Sequence, residues 1–233
     1  MNWIVLDVDG VLIDVSRSYD MATKLTVEYF LSKAGIDKKV DLKVIDELRR
    51  KGAFGDDYNL SEALLSAGDD ADEIPAGATI QWVRDRFGTT VPADDIKRVF
   101  DTYYLGEMCQ EPLFEFDGFW EREEMIIDLS LLKKIEKRFK IGVVTGRSAL
   151  EMQLAERIMD YEFTRKVTSD DYLKPDPRAL AVLVDDGRGV FIGDSKTDEL
   201  LVETYNDEYP GEFDFIMVKR DVEDVNEAIM SLL

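Results

Sequence analysis

Asp7 and Asp9 stand two residues apart in Trp-Ile-Val-Leu-Asp7-Val-Asp9-Gly10-Val-Leu, directly after an apolar run that reads as a buried strand. A carboxylate at the end of such a strand lies at the carboxyl edge of a sheet, where open α/β folds place their active sites. Gly10 permits a tight exit, so Asp9 can turn toward the same pocket as Asp7. Two adjacent carboxylates repel, and a divalent cation relieves that repulsion. A strand-end aspartate in an Asx-turn would look the same in isolation. The pair gains its meaning from three further segments.

Val143-Val144-Thr145-Gly146-Arg147 ends another apolar run and leads into a helix that Ser148 would cap. A hydroxyl and free backbone N–H groups at a helix start suit an anion. In Lys174-Pro175-Asp176-Pro177 the prolines stiffen the chain and limit how the lysine is displayed. A fixed ammonium suits a phosphate oxygen and neighbouring carboxylates alike. Finally, Val190-Phe-Ile-Gly193-Asp194-Ser-Lys-Thr-Asp198 closes a third apolar run with two carboxylates one helical turn apart. Carboxylate oxygens are what a hard ion such as Mg²⁺ selects.

The elements that must position these groups are short apolar runs alternating with helical patterns. Strands are expected at Trp3–Leu6, Ile141–Val144, Val190–Ile192 and Phe215–Val218. Helices are expected from Ser130 to Phe139, from Ser148 to about Asp160 and from about Val222 to Leu233. The alternation predicts an α/β fold with a doubly wound parallel sheet. From Val15 to Glu111 the pattern is helical throughout, with periods at Met21–Ala34, Asp41–Lys51, Ser61–Ala67, Ala78–Phe87 and Ala93–Leu105. A helical insert (15–111) therefore interrupts an α/β domain made of 1–14 and 112–233. Trp82, Tyr103 and Tyr104 read as core of that insert.

Composition narrows the chemistry. The 233 residues suffice for a core domain plus an insert. The formal net charge of −21 argues against nucleic acid or an anionic membrane as partner, because both would be repelled. A site handling phosphate must then be positive locally. The chain has no histidine, which removes Ser-His-Asp hydrolases, phosphohistidine enzymes and HExxH metalloproteases. Cys109, the single cysteine, has Glu115 six positions on where a cysteine phosphatase needs arginine. It permits no internal disulfide and suits a reducing, cytoplasmic setting. The first apolar run lacks the basic leader of a signal peptide.

The four segments in this order resemble the motifs of the haloacid dehalogenase superfamily: DxDGx[TV], a Thr or Ser, a Lys, and GDxxxD. They match as Asp7-Val-Asp9-Gly10-Val11, Thr145, Lys174-Pro-x-Pro and Gly193-Asp194-Ser-Lys-Thr-Asp198. Lys-Pro-x-Pro and a helical insert after the first motif are similar to the phosphoglycolate phosphatase and β-phosphoglucomutase branch. The resemblance implies a Rossmann-like core with an inserted all-helical cap domain. It implies Asp7 as covalent nucleophile and Asp9 as acid and base. Thr145, Gly146, Arg147 and Lys174 would bind phosphate. Mg²⁺ would be held by Asp7, the Asp9 carbonyl and Asp194, with Asp198 as a further partner of the metal or of Lys174.

In this superfamily an aspartate at position 9 goes with phosphate esters, because it serves an alcohol leaving group. The resemblance thus implies a Mg²⁺-dependent phosphatase acting on a small phosphorylated metabolite. A sugar-phosphate mutase uses the same motifs, and a metal-binding regulatory module would keep the fold without the reaction. A monomer or homodimer is expected. Within the insert, Arg49, Arg50 and Lys51 end a helix ahead of Gly52-Ala-Phe-Gly55, a basic, glycine-flexed loop suited to an anionic leaving group. A cationic helix end favoured by the helix dipole reads as well.

Overall fold

The computed structural model describes residues 2–52, 54, 56–185 and 187–233. Two compact units form, one of Met1–Asp14 with Glu124–Leu233 and one of Val15–Glu123. Along the chain come β1 (Trp3–Leu6) and β2 (Ile13–Asp14), then the helical unit of α1 (Tyr19–Lys33), α2 (Leu42–Lys51), α3 (Asp57–Ala67), α4 (Ile80–Phe87) and α5 (Ala93–Leu105). The first unit resumes with β3 (Glu124–Met125), α6 (Leu129–Ile135), β4 (Lys140–Val144), α7 (Ala149–Met159) and β5 (Lys166–Val167). It ends with α8 (Arg178–Val184), β6 (Arg188–Gly193), α9 (Lys196–Glu208), β7 (Glu212–Met217) and α10 (Val225–Leu232).

The main sheet has the order β5-β4-β1-β6-β7, and every pairing is parallel. The chain builds outward from β1 through β4 to β5, then returns to add β6 and β7 on the other side. The direction of winding therefore reverses between β1 and β6, where doubly wound sheets place their ligand sites. β1 has neighbours on both sides and no exposed residue, which explains an apolar run without alternation. Trp3, Val5, Val144, Leu180, Leu183, Phe191, Leu201, Tyr205 and Phe213 form one continuous buried cluster with it. At roughly 1.5–3 kcal/mol per large side chain removed from water, such a cluster is the main stabilising term of the sheet.

Some boundaries differ from those the sequence predicts. α6 is capped by Asp128, whose carboxylate accepts from the Ser130 N–H at 2.7 Å, so Ser130 lies inside the helix. That helix stops at Ile135, short of Phe139. β7 starts three residues before Phe215, because pairing with β6 from Arg188↔Glu212 onward fixes it. α10 begins at Val225 under an Asp224 cap. Two short elements have no periodicity to read: β5, and the antiparallel pair β2–β3 (Ile13↔Met125, Asp14↔Glu124).

In the helical unit α1 packs against α3 and α5, and no strand occurs among its described residues. Tyr104 is fully buried, stacks on Tyr19 at 4.5 Å and donates to Glu123 at 3.0 Å. Residues 112–123, expected in the α/β unit, group with the helices instead. The reason is aromatic: Phe114 lies against Tyr29 and Tyr103, Phe116 meets Tyr103 edge-on, and Phe119 packs on Phe116. Among the described residues, no helix is long and apolar enough to cross a membrane.

Candidate active site

Asp7 leaves β1 with its N–H donating to the Ile192 carbonyl at 3.0 Å, which locks it beside the end of β6. Asp194 and Asp198 come from that neighbouring end. The Asp7, Asp194 and Asp198 carboxylates each offer an oxygen within 4.8 Å of the others. Gly10 makes the approach possible. Its φ is +70°, and a Cβ there would sit 2.1 Å from Asp194 Oδ2.

Lys174 stands between the acids. Its ammonium, almost buried, lies 2.6 Å from Asp198 Oδ1 and 2.8 Å from Asp7 Oδ1. Both contacts are ion pairs, and the one to Asp198 is also a hydrogen bond. Asp7 Oδ1 is a buried oxygen that meets the Lys174 ammonium and, among the described residues, accepts no other hydrogen bond. Asp198 is held on both sides: Oδ2 accepts from Ser195 Oγ at 2.6 Å and closes a capping box at the start of α9.

Burial pushes the Asp7 carboxyl well up, and Asp198, Asp9 and Asp194 push the same way, only partly countered by Lys174. Asp194 is pushed up to about 6, by burial first and then by Asp198. Burial disfavours the Lys174 ammonium, but Asp198 and Asp7 outweigh that and hold its pKa above the ordinary lysine value. Such a site carries excess negative charge, and a hard divalent cation is the group that would relieve it. The donor set fits Mg²⁺: three carboxylates that offer oxygen ligands only, close enough to share one ion.

Thr145 is fully buried at the end of β4, and its N–H reaches the Val167 carbonyl at 3.0 Å. Its Oγ1 accepts from the Arg147 N–H at 3.1 Å, so its own proton can go to another acceptor. Among the described residues, the Gly146 N–H has no acceptor, and nothing lies within 4 Å of where a Cβ would stand. These two groups can serve a phosphate oxygen. The start of α7, expected to do the same, is taken by the chain's own side chains. Ser148 N–H donates to Glu151, Ala149 N–H to Asp170, and Glu151 N–H to Ser148 Oγ.

Arg147 turns its fully buried guanidinium to Asp9, with Nε and Nη2 each 2.7 Å from Asp9 Oδ1. Nothing in the spacing signals this, because 138 residues separate the two. Lys219 is a second group that the sequence pattern does not reveal. It follows β7 in a left-handed conformation (φ +64°), and its charge lowers the Asp194 carboxyl.

Two of the expected ligands lie in the helical unit. Arg49 is bound by Asp20 and Asp57 of the same unit, and Lys51 Nζ donates to the Asp72 carbonyl at 3.2 Å. Of the loop beyond them, Ala53 and Gly55 lie outside the described residues.

No protein-family model matches the chain, and no curated protein does. Among solved structures it is similar to phosphatase Tt82 from Thermococcus thioreducens. The two are 54% identical over 99% of this chain and 98% of that one, with a TM-score of 0.88. A HAD-superfamily hydrolase, subfamily IA, variant 1, from Geobacter sulfurreducens shares the fold at 17% identity. There the match covers 100% of this chain and 97% of the other, with a TM-score of 0.57. A predicted phosphoglycolate phosphatase from Haemophilus somnus does so at 13% identity over 100% and 98%, with a TM-score of 0.60.

Proposed function

We propose that this chain, a phosphoric monoester hydrolase of the haloacid dehalogenase superfamily, removes phosphate from a small phosphorylated metabolite through an aspartyl-phosphate on Asp7. The observation that carries this reading is the state of Asp7. Its carboxylate is buried at the carboxyl edge of the central strand, beside Asp194 and Asp198 and 2.8 Å from a lysine that can hold the other reactant's charge.

Asp7 attacks phosphorus in line, and an Asp7 O–P bond forms as the ester P–O bond breaks. Asp9 gives its proton to the departing alkoxide oxygen, which leaves as the alcohol. The resulting Asp9 carboxylate then takes a proton from water as the water oxygen attacks phosphorus. The Asp7 O–P bond breaks, inorganic phosphate departs and both aspartates return to their starting states. Thr145, the Gly146 N–H and Lys174 bind the non-bridging oxygens. Asp7, Asp194 and the Asp9 carbonyl would hold Mg²⁺, with Asp198 as a further partner, and the ion would supply neutralisation of the carboxylate and phosphate charges.

Phosphate release from a panel of phosphorylated metabolites, with Mg²⁺ and after chelation, tests the reading. Release from at least one ester, lost on chelation and restored by Mg²⁺, is expected. Conversion of a hexose 1-phosphate to its 6-phosphate without phosphate release would instead identify a mutase. Absence of both reactions would leave a non-catalytic module.

A further inference from the structure

We infer that Arg147 is a positioning residue for Asp9, holding the plane of its carboxyl, and does not bind the substrate's phosphate. This rests on the reading of Asp9 as the acid and base. Arg147 is among the largest fully buried side chains of the protein, with none of its side-chain surface exposed. Removing such a guanidinium from water is costly unless carboxylates or carbonyls satisfy it.

The contacts supply that satisfaction in a defined way. Nε and Nη2 converge on a single oxygen, Oδ1 of Asp9, each at 2.7 Å. Nη1 donates to the Glu151 carbonyl at 3.3 Å, which ties the guanidinium plane to the first turn of α7. The Arg147 carbonyl accepts from the Ser169 N–H at 2.9 Å, anchoring the backbone as well. Asp9 is a third exposed, and among the described residues its Oδ2 makes no hydrogen bond. Two charged donors on Oδ1 hold the carboxyl plane, and Oδ2 is the oxygen left to face the leaving group. Lysine cannot reproduce this, because a single ammonium has no planar fork.

The arrangement has a kinetic signature. A general acid matters for an alkoxide that cannot leave unprotonated, and matters little for a phenolate that can. kcat/KM covers the steps through loss of the leaving group, so its dependence on leaving-group acidity includes Asp9 as an acid and excludes its later role as a base. The experiment compares R147Q, R147K and wild type on alkyl phosphates and on 4-nitrophenyl phosphate, with D9N and D9N/R147Q alongside. R147Q is expected to lower kcat/KM at least tenfold more for the alkyl esters than for the aryl ester. R147K should recover part of that gap, and D9N/R147Q should show no greater gap than D9N.

An equal loss on both ester classes would make Arg147 a phosphate ligand or a structural residue and overturn the inference. So would an R147Q effect that adds fully to that of D9N. If D9N itself fails to discriminate between the ester classes, the role of Asp9 falls, which is a separate result. Should R147Q not fold, R147K decides: a larger loss on the alkyl esters than on the aryl ester supports the inference, and an equal loss overturns it.

Discussion

Lys174 donates to Asp198 Oδ1 at 2.6 Å, and the acceptor is a carboxylate whose other oxygen closes the capping box of α9. The lysine of the third motif is thus aimed by the last residue of the fourth. Asp198→Asn should loosen both ends at once. The loss of one charge-assisted hydrogen bond is worth about 1.5–3 kcal/mol. For a protein of this size each kcal/mol moves Tm by about 2–4 °C. A lower Tm together with at least a tenfold drop in kcat is expected, read by calorimetry and phosphate release. A stable, fully active variant would show that Lys174 needs no such anchor.

Asp7→Asn should separate function from stability. An amide cannot form the acyl-phosphate, so turnover should fall below about one per cent of wild type, a barrier increase of more than about 2.7 kcal/mol. The folded protein loses a carboxylate that burial and three other acids all disfavour. In the absence of metal its Tm should therefore equal or exceed that of wild type. A marked destabilisation would mean that the Asp7–Lys174 pair holds the sheet edge together.

Asp194 links the same electrostatics to pH. Its carboxyl is raised from an ordinary 3.8 to about 6 on folding. The folded chain then holds the proton more tightly than the unfolded one. This group therefore weakens folding as pH rises through that window, and its full cost is present above it. Asp194→Asn removes the effect. Without metal, D194N should be more stable than wild type near neutral pH, with the gap closing as pH falls toward about 4. Mg²⁺ should reverse the order at neutral pH, since a ligand stabilises only the form that binds it. Thermal melts at two pH values, with and without Mg²⁺, give the answer. A metal-free D194N that melts below wild type at neutral pH would count against the strain assigned to this cluster.

Three of the candidate site residues are legible because each ends a buried strand, and a polar residue after an apolar run is visible in one dimension. Asp7, Thr145 and Asp194 follow β1, β4 and β6 in that way. Lys174 was legible from the prolines beside it. Pairings between distant segments were not. Arg147 looks like a phosphate ligand in sequence because it follows Thr145 and Gly146, yet its direction is set by Asp9. Ser130 looks like a cap because no local signal ranks it against Asp128. The grouping of residues 112–123 with the helices depends on where Tyr29 and Tyr103 lie in space.

The basic end of α2 offers a last test, in which two neighbouring cations are expected to behave differently. Arg49 joins three helices: through Nη2 it reaches Asp20 of α1 at 2.8 Å and also Asp57 at the start of α3. Thr23 Oγ1 adds a 3.4 Å contact to the same Asp57 oxygen. Burial raises the Asp20 carboxyl even with Arg49 beside it, so removing the arginine would leave two carboxylates facing each other. The Arg49 side chain is 38% exposed, and solvent screening holds each of its pairs to about 1 kcal/mol or less. Arg49→Ala should lower Tm by a few degrees, and Asp20→Asn in that background should restore part of the loss. Lys51 makes one exposed contact to a carbonyl, so Lys51→Ala should leave Tm nearly unchanged. It is therefore the cleaner probe of whether this cluster reads the leaving group. In that case kcat/KM falls about tenfold or more for the preferred ester, while small generic esters are hydrolysed nearly as before. Equal behaviour of both ester types would make the cluster a cationic helix end, stabilised by the helix dipole and by Asp20 and Asp57.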